Sequence, residues 1–274
     1  LGAEPVGLRN LYGLPGGFFP HGLHGMWMAV ILGMLSFSGI EVIAVTAGEV
    51  PNPEKAIPAA LRTMAVRLFL FYVLALAVVA AIIPWTETGG SVTVAESPFV
   101  KILSLTGIPH AAGIMNFVIV SAALSGMNTN VYLCTRMLFS LSRGNYAPRF
   151  LGQLSRSGAP VMASLLSGAF VFAAVGMAKF TPRAYAYLQG IALFSIIIVW
   201  MLILVCHLRF RHVHRAADLP VRMPFFPVMQ IAGMAVLLGV LVTMLLDPDW
   251  RLSWIVGVPW LGALIAAYFV WKRT

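Results

Sequence analysis

Hydrophobic residues come along this chain in long runs, separated by short segments that hold most of the charges. A helix that crosses a bilayer needs about 20 consecutive, mainly apolar residues. Seven runs meet that length, at roughly 26–49, 62–84, 110–140, 160–179, 184–208, 226–246 and 252–271. The third is too long for one straight crossing and is expected to tilt or to project beyond the bilayer. Residues 1–25 read as an external loop, because Gly13, Pro15, Gly16, Gly17, Pro20 and Gly22 interrupt any regular pattern. Residues 86–109 read as a second long loop. Within it, Ser97 to Leu103 predicts a short interfacial helix, with Ser97 as cap and Pro98 at the first helical position.

Composition turns this pattern into a class. Of the 274 residues, 60% are hydrophobic and 10% charged, against about 25% charged in an ordinary soluble domain. So few charges cannot cover the surface of a soluble domain this size, and the lipid bilayer resolves the conflict. The expected fold class is an all-α membrane protein, with residues 26–274 as its transmembrane domain. The net charge of +9 does not indicate a nucleic-acid partner, because the basic residues sit in short clusters between apolar runs. Thirteen of the 18 lysines and arginines, from Lys55 and Arg62 to Lys272 and Arg273, fall on one side of the bundle. Arg9, Lys101, Lys179, Arg183 and Arg251 fall on the other. The positive-inside rule makes the first side cytoplasmic, so the first residues are external and the C-terminus internal. Trp27, Trp85, Trp250, Trp254 and Trp271 lie near span ends, as in an aromatic belt. Cys134 and Cys206 lie in different apolar runs and read as isolated thiols. The chain starts at Leu1 with no signal-peptide pattern, and reads as part of a longer or processed protein.

The chemistry concentrates near the middle of the first run, at Phe37-Ser38-Gly39-Ile40-Glu41. An acid at a helix centre costs at least ~2.5–3.5 kcal/mol on insertion scales, so Glu41 must face the bundle or water. Gly39 disfavours continuous helix and tolerates unusual dihedrals. A break here frees backbone groups at mid-membrane, which is tolerable only where they line a cavity or meet a ligand. The outer half of the helix would end in carbonyls near Phe37, able to accept from an ammonium group. The inner half would begin near Glu41 with N–H groups suited to an anion or to Glu41 itself. A zwitterion such as an amino acid matches these poles. The alternative is a packed helix, with Gly39 at a close crossing and Glu41 bonded to a neighbour.

Three further features stand out. Pro51 and Pro53 stop the first helix, leaving Glu49 at a C-terminus where the dipole disfavours an anion. An inner gate pairing Glu49 with a cytoplasmic arginine would remove that conflict; a solvated charge is the simpler alternative. Ser121 and Ser125 are i, i+4 neighbours and Asn128 extends their face, so they read either as a polar path or as small residues for close packing. The cluster His207, Arg209, Arg211, His212, His214 and Arg215 is better explained by positive-inside charge, with anionic lipid contact, than by metal binding. No phosphate loop, zinc-protease motif or dinucleotide fingerprint occurs, so neither a metal nor a cofactor is expected.

Four stretches resemble the amino-acid transporter family within the amino acid–polyamine–organocation (APC) superfamily of permeases. They are Gly16 to Gly22; Phe37 to Glu41 with Ala47-Gly48-Glu49 and Asn52 to Pro58; Arg67 to Leu74 with Ile83-Pro84-Trp85; and Met115 through Leu141. The resemblance implies a LeuT-like bundle of twelve spans, of which this chain carries spans six to twelve, in a bacterial inner membrane. It also implies proton-coupled amino-acid uptake. The backbone of Phe37, Ser38, Gly39 and Ile40 would contact the substrate amine, and Glu41 would take part in the proton-linked step. The first repeat, with its half of the site, is absent from this sequence and would act as an N-terminal partner. A truncated non-transporting product, or a module that needs that partner, is the alternative. A seven-span receptor or intramembrane enzyme is disfavoured, since no span carries a catalytic pair and Glu41 is the only acid near a bilayer centre.

Overall fold

A computed structural model describes residues 7–45, 50–87, 97–105, 107–214, 223 and 225–273. The described residues are helical with no strands. Six helices are long and apolar enough to cross a membrane: Pro53–Ile82, Ala111–Arg143, Val161–Phe180, Ala184–Val213, Val228–Leu246 and Arg251–Lys272. The chain divides into two compact units, residues 1–129 and 130–274.

The first unit departs most from the expected pattern. The short helix α1, Arg9–Tyr12, and α2, Gly22–Ser36, both begin inside the stretch expected to be loop. The run expected to span at 26–49 is not one helix. Fifteen residues of α2 reach roughly 22 Å, short of the ~30 Å hydrocarbon core. A turn at 37–41 follows, and then the four-residue α3, Val42–Val45. Glycine geometry in that turn is the physical reason for the interruption.

The next helix starts at Pro53 rather than near residue 62. It runs as α4, Pro53–Leu68, a π-helical segment at Phe69–Leu74, and α5, Ala75–Ile82. Pro53 suits the first helical position because that N–H needs no intrahelical acceptor. Glu54 in the first turn complements the helix dipole. This early stretch is too polar to register as a span, but Pro53 and Glu54 are both helix-start signals. At the far end, Asn10 Nδ2 donates to the carbonyls of Ala81 and Ile82 at 2.9 and 3.1 Å. It thereby satisfies acceptors that a helix terminus leaves open. Pro98 opens α6, Pro98–Leu105.

Helix α7, Ala111–Arg143, is unbroken over 33 residues, roughly 50 Å, and passes from the first unit into the second. The second unit continues with α8, Val161–Phe180, α9, Ala184–Val213, α10, Val228–Leu246, and α11, Arg251–Arg273. Its core lies between α9, α10 and α11. Leu193, Ile197, Val240 and Met244 are fully buried there. Phe194 meets Trp254 edge-to-face at 5.2 Å, and Trp254 Nε1 donates to the Leu241 carbonyl at 2.9 Å. Glycines let α9 and α11 approach closely. A Cβ at Gly190 would lie 3.2 Å from Ser253 Cα, and one at Gly257 would fall on the Phe194 ring. Between lipid-solvated helices, such small residues replace the hydrophobic effect as the means of association. Elsewhere Thr135 Oγ1 donates to Ser167 Oγ at 3.5 Å, which in turn donates to the Ala163 carbonyl at 2.9 Å. The Gln230 amide is wholly buried and meets His207 Nδ1 at 2.9 Å, tying α10 to α9.

Gly257→Val should overpack the α9–α11 seam and cost about 1–3 kcal/mol, read as a lower melting temperature in detergent. The same change at Gly262, where an added Cβ meets nothing within 4 Å, should cost less. Equal losses at both positions would contradict this account of the seam.

Candidate functional site

The interruption between α2 and α3 is built around one dihedral. Gly39 has φ +97°, which side-chain-bearing residues rarely adopt. A Cβ there would meet nothing within 4 Å. The position therefore calls for glycine by its backbone conformation and not by crowding, which removes the close-crossing alternative among the described residues. Around it the chain turns tightly. Phe37 N–H donates to the Met34 carbonyl at 3.1 Å and Val42 N–H to the Gly39 carbonyl at 3.2 Å.

In an unbroken helix the Gly39 N–H would donate to the carbonyl four residues back. Here it donates to the carboxylate of Glu41, 3.3 Å from Oε1 and 3.2 Å from Oε2. The acid of the sequence motif thus caps the break from two residues away, rather than bonding to another helix. A charge-assisted bond of this kind is stronger than a neutral one, and it satisfies a donor that the interrupted helical ladder leaves open.

Beside the break lies a half-open cavity of about 680 Å³. Ser36, Ser38, Ile40 and Ile43 line one wall. Ala60, Thr63, Met64, Arg67, Leu68, Phe71 and Tyr72 line the other. Residues 60, 63, 64, 67, 68 and 71 share a helix face by their spacing, and the π-helical segment at Phe69–Leu74 adds Tyr72. Such segments recur at functional sites. The lining is mainly apolar, with hydroxyls from Ser36, Ser38, Thr63 and Tyr72 and one charge, Arg67.

Of the residues singled out from the sequence, Ser38 and Ile40 line this cavity, while Phe37, Gly39 and Glu41 do not. Phe37 is exposed. Ser121, Ser125 and Asn128 are exposed on α7 and are not among the lining residues; Thr129 Oγ1 donates to the Ser125 carbonyl at 3.0 Å. Glu49 lies outside the described residues. Sequence reading missed the opposite wall, Thr63, Arg67 and Tyr72 above all. The available signal was an arginine set in the apolar run 62–84, at i+4 from Thr63. Among the described residues, no three His, Cys, Asp or Glu side chains gather as a metal site would need.

Comparison with known proteins places the chain in a family. The family model described as amino acid permease matches residues 2–274. The uncharacterized amino acid permease YtnA of Bacillus subtilis is 38% identical over 98% of this chain and 58% of its own length. The probable threonine/serine transporter YbxG of the same organism is 35% identical over 100% of this chain and 59% of its own length. The aromatic amino acid transport protein AroP of Salmonella typhimurium is 34% identical, over 97% and 58%. The chain thus spans under two thirds of the length of these relatives. No solved structure gives a significant match.

Replacing Gly39 with alanine should strain the turn by roughly 1 kcal/mol or more. Thermal unfolding in detergent checks this: Gly39→Ala should melt lower than Gly33→Ala, a glycine of α2 with nothing within 4 Å and no positive φ. A Gly39→Ala protein as stable as Gly33→Ala would contradict the strained geometry.

Proposed function

This chain belongs to the amino acid permease family, and we propose that it forms part of a secondary transporter that carries amino acids across the cell membrane. The family has the LeuT-like fold of the APC superfamily. The observation that carries the reading is the glycine-centred break at 37–41 beside a cavity. A helix interrupted in an apolar run offers main-chain acceptors and donors to a polar ligand where no water competes.

In this reading the carbonyl end of α2, at Phe37 to Ile40, receives the substrate ammonium group. Glu41 carries the coupled proton. It already holds the Gly39 N–H, so gain of a proton weakens that bond and loosens the turn. Uptake is thereby linked to the proton gradient, as symport requires. Ser121, Ser125 and Asn128 belong to a polar path along α7, and Glu49 to an inner gate. The distribution of lysine and arginine supports a cytoplasmic C-terminus and external first residues. The length of the relatives that this chain does not span supplies the rest of the substrate site. That same coverage supports a second reading, in which the chain alone is a module inactive without its N-terminal partner. Uptake by the chain alone, set against uptake after co-expression with that partner, separates the two.

The test is uptake of a panel of radiolabelled amino acids by the whole protein in cells or proteoliposomes, with and without an imposed proton gradient. Wild type should accumulate at least one amino acid in a gradient-dependent manner. Glu41→Gln should keep its membrane expression and lose most gradient-driven accumulation. Uptake by Glu41→Gln that equals wild type across the pH range would remove this residue from the coupling step.

A further inference from the structure

Helices α9 and α10 run side by side in one antiparallel register. A Cβ at Gly233 would lie 3.3 Å from Leu204 Cδ1. The Gln230 amide meets His207 Nδ1 at 2.9 Å, and the Arg211 guanidinium lies over the Phe226 ring, 4.6 Å from its centre. Helix α10 has 19 residues, roughly 28 Å, which matches the ~30 Å hydrocarbon core. Its first residue, Val228, therefore marks one edge of that core. Helix α9, with 30 residues and roughly 45 Å, overruns that edge. The register carries Arg211 and His214 past it, to the depth of lipid headgroups.

The surroundings of Arg211 suit an anion. Its place over Phe226 occupies one face of the guanidinium and leaves the donors on its edge open. Among the described residues no carboxylate stands at this end of the second unit. Asp247 and Asp249 follow the opposite end of α10, and Asp218 lies outside the described residues. The first turn of α10 carries no acid, and its cap makes no side-chain hydrogen bond, so the positive end of the helix dipole adds to the field on the same side. Apolar residues adjoin this charged spot: Phe210 stacks with His214 at 4.3 Å, and Phe225, Val228 and Met229 are exposed. A cation at headgroup depth beside exposed apolar side chains is complementary to a lipid with an anionic headgroup and acyl chains.

We propose that the end of α9 and the start of α10 form a binding site for an anionic phospholipid. The Arg211 guanidinium takes the headgroup phosphate through a forked, charge-assisted pair of bonds, and Phe225, Val228 and Met229 lie along the acyl chains. Basic residues near a membrane surface attract anionic lipid in general. The geometry adds a single position to that general attraction. Arg209 is two residues away on the same helix and so faces another side of it. It feels the surface charge without sharing the site.

The experiment uses the whole protein purified in a neutral detergent. Phosphatidylglycerol or phosphatidylcholine with the same acyl chains is added, and native mass spectrometry reads the lipid bound. Wild type should hold phosphatidylglycerol about 5-fold more tightly than phosphatidylcholine, the factor that one basic residue near the surface supplies. In Arg211→Gln that preference should fall to within about 2-fold, whereas Arg209→Gln should retain it. If Arg211→Gln does not fold, Arg211→Lys serves in its place: it keeps the charge but loses the fork, and its preference should fall below that of wild type. Inorganic phosphate at matched concentration should not displace phosphatidylglycerol, because it has no acyl chains. Equal binding of the two lipids by wild type overturns the proposal, as does an unchanged preference in the Arg211 variant. Equal losses in the Arg209 and Arg211 variants would reduce the site to diffuse surface charge, and displacement by phosphate would make it a site for a free anion; either result also overturns it.

Discussion

The constraint on which this structure turns is that a chain in lipid must satisfy its own backbone polar groups. Long helices do so without assistance, and six of them meet the length. The stretch at 37–41 does not, because Gly39 at φ +97° takes its N–H out of the helical ladder. The carboxylate of Glu41 receives that N–H. One acid, placed two residues beyond one glycine, thus makes an interrupted helix tolerable inside an apolar run. Everything attributed to the site depends on this pair: the short α2 and the cavity beside it.

Packing elsewhere follows a different economy. Lipid tails solvate apolar side chains as well as a protein core does, so burial of leucine or phenylalanine does not hold such helices together. Phe172 and Phe180 accordingly stand outward at 79% and 82% exposure. The second unit instead relies on close approach at Gly190 and Gly257 and on specific polar ties, the Trp254 indole and the Gln230 amide among them. This leaves the two units with different tasks. Residues 130–274 form a scaffold of small-residue seams, whereas residues 1–129 contain the interrupted element and the cavity.

Much of this was legible from the sequence, for reasons that can be named. The helices Val161–Phe180, Val228–Leu246 and Arg251–Arg273 lie within two residues of the apolar runs, because lipid imposes length and polarity together. The weak point at Gly39 was visible as a glycine two residues before an acid. The partner of Glu41 was not, since sequence spacing suggested both a helix dipole and a neighbouring helix. The helix start at Pro53 was hidden by its polarity, a start signal in an overhang that no membrane-length criterion detects. The wall formed by Thr63, Arg67 and Tyr72 depends on which face of α4 turns toward the break, and the π-helical segment shifts that face beyond what a 3.6-residue period foretells. Ser121, Ser125 and Asn128 share a face by spacing, but spacing alone does not say what that face meets.

The central claim is that the α2–α3 interruption is an open, ligand-contacting site and not a kink sealed by packing. Cysteine accessibility tests it most directly. In the whole protein, with Cys134 and Cys206 replaced because both thiols are exposed, a single cysteine is placed at Ser38 and, for reference, at Ile31, which is fully buried in α2. The account predicts that a membrane-impermeant, water-soluble thiol reagent modifies the Ser38→Cys protein, that a transported amino acid slows the modification, and that the Ile31→Cys protein stays unreactive. Modification of neither position, or labelling at Ser38→Cys that no amino acid slows, would contradict it.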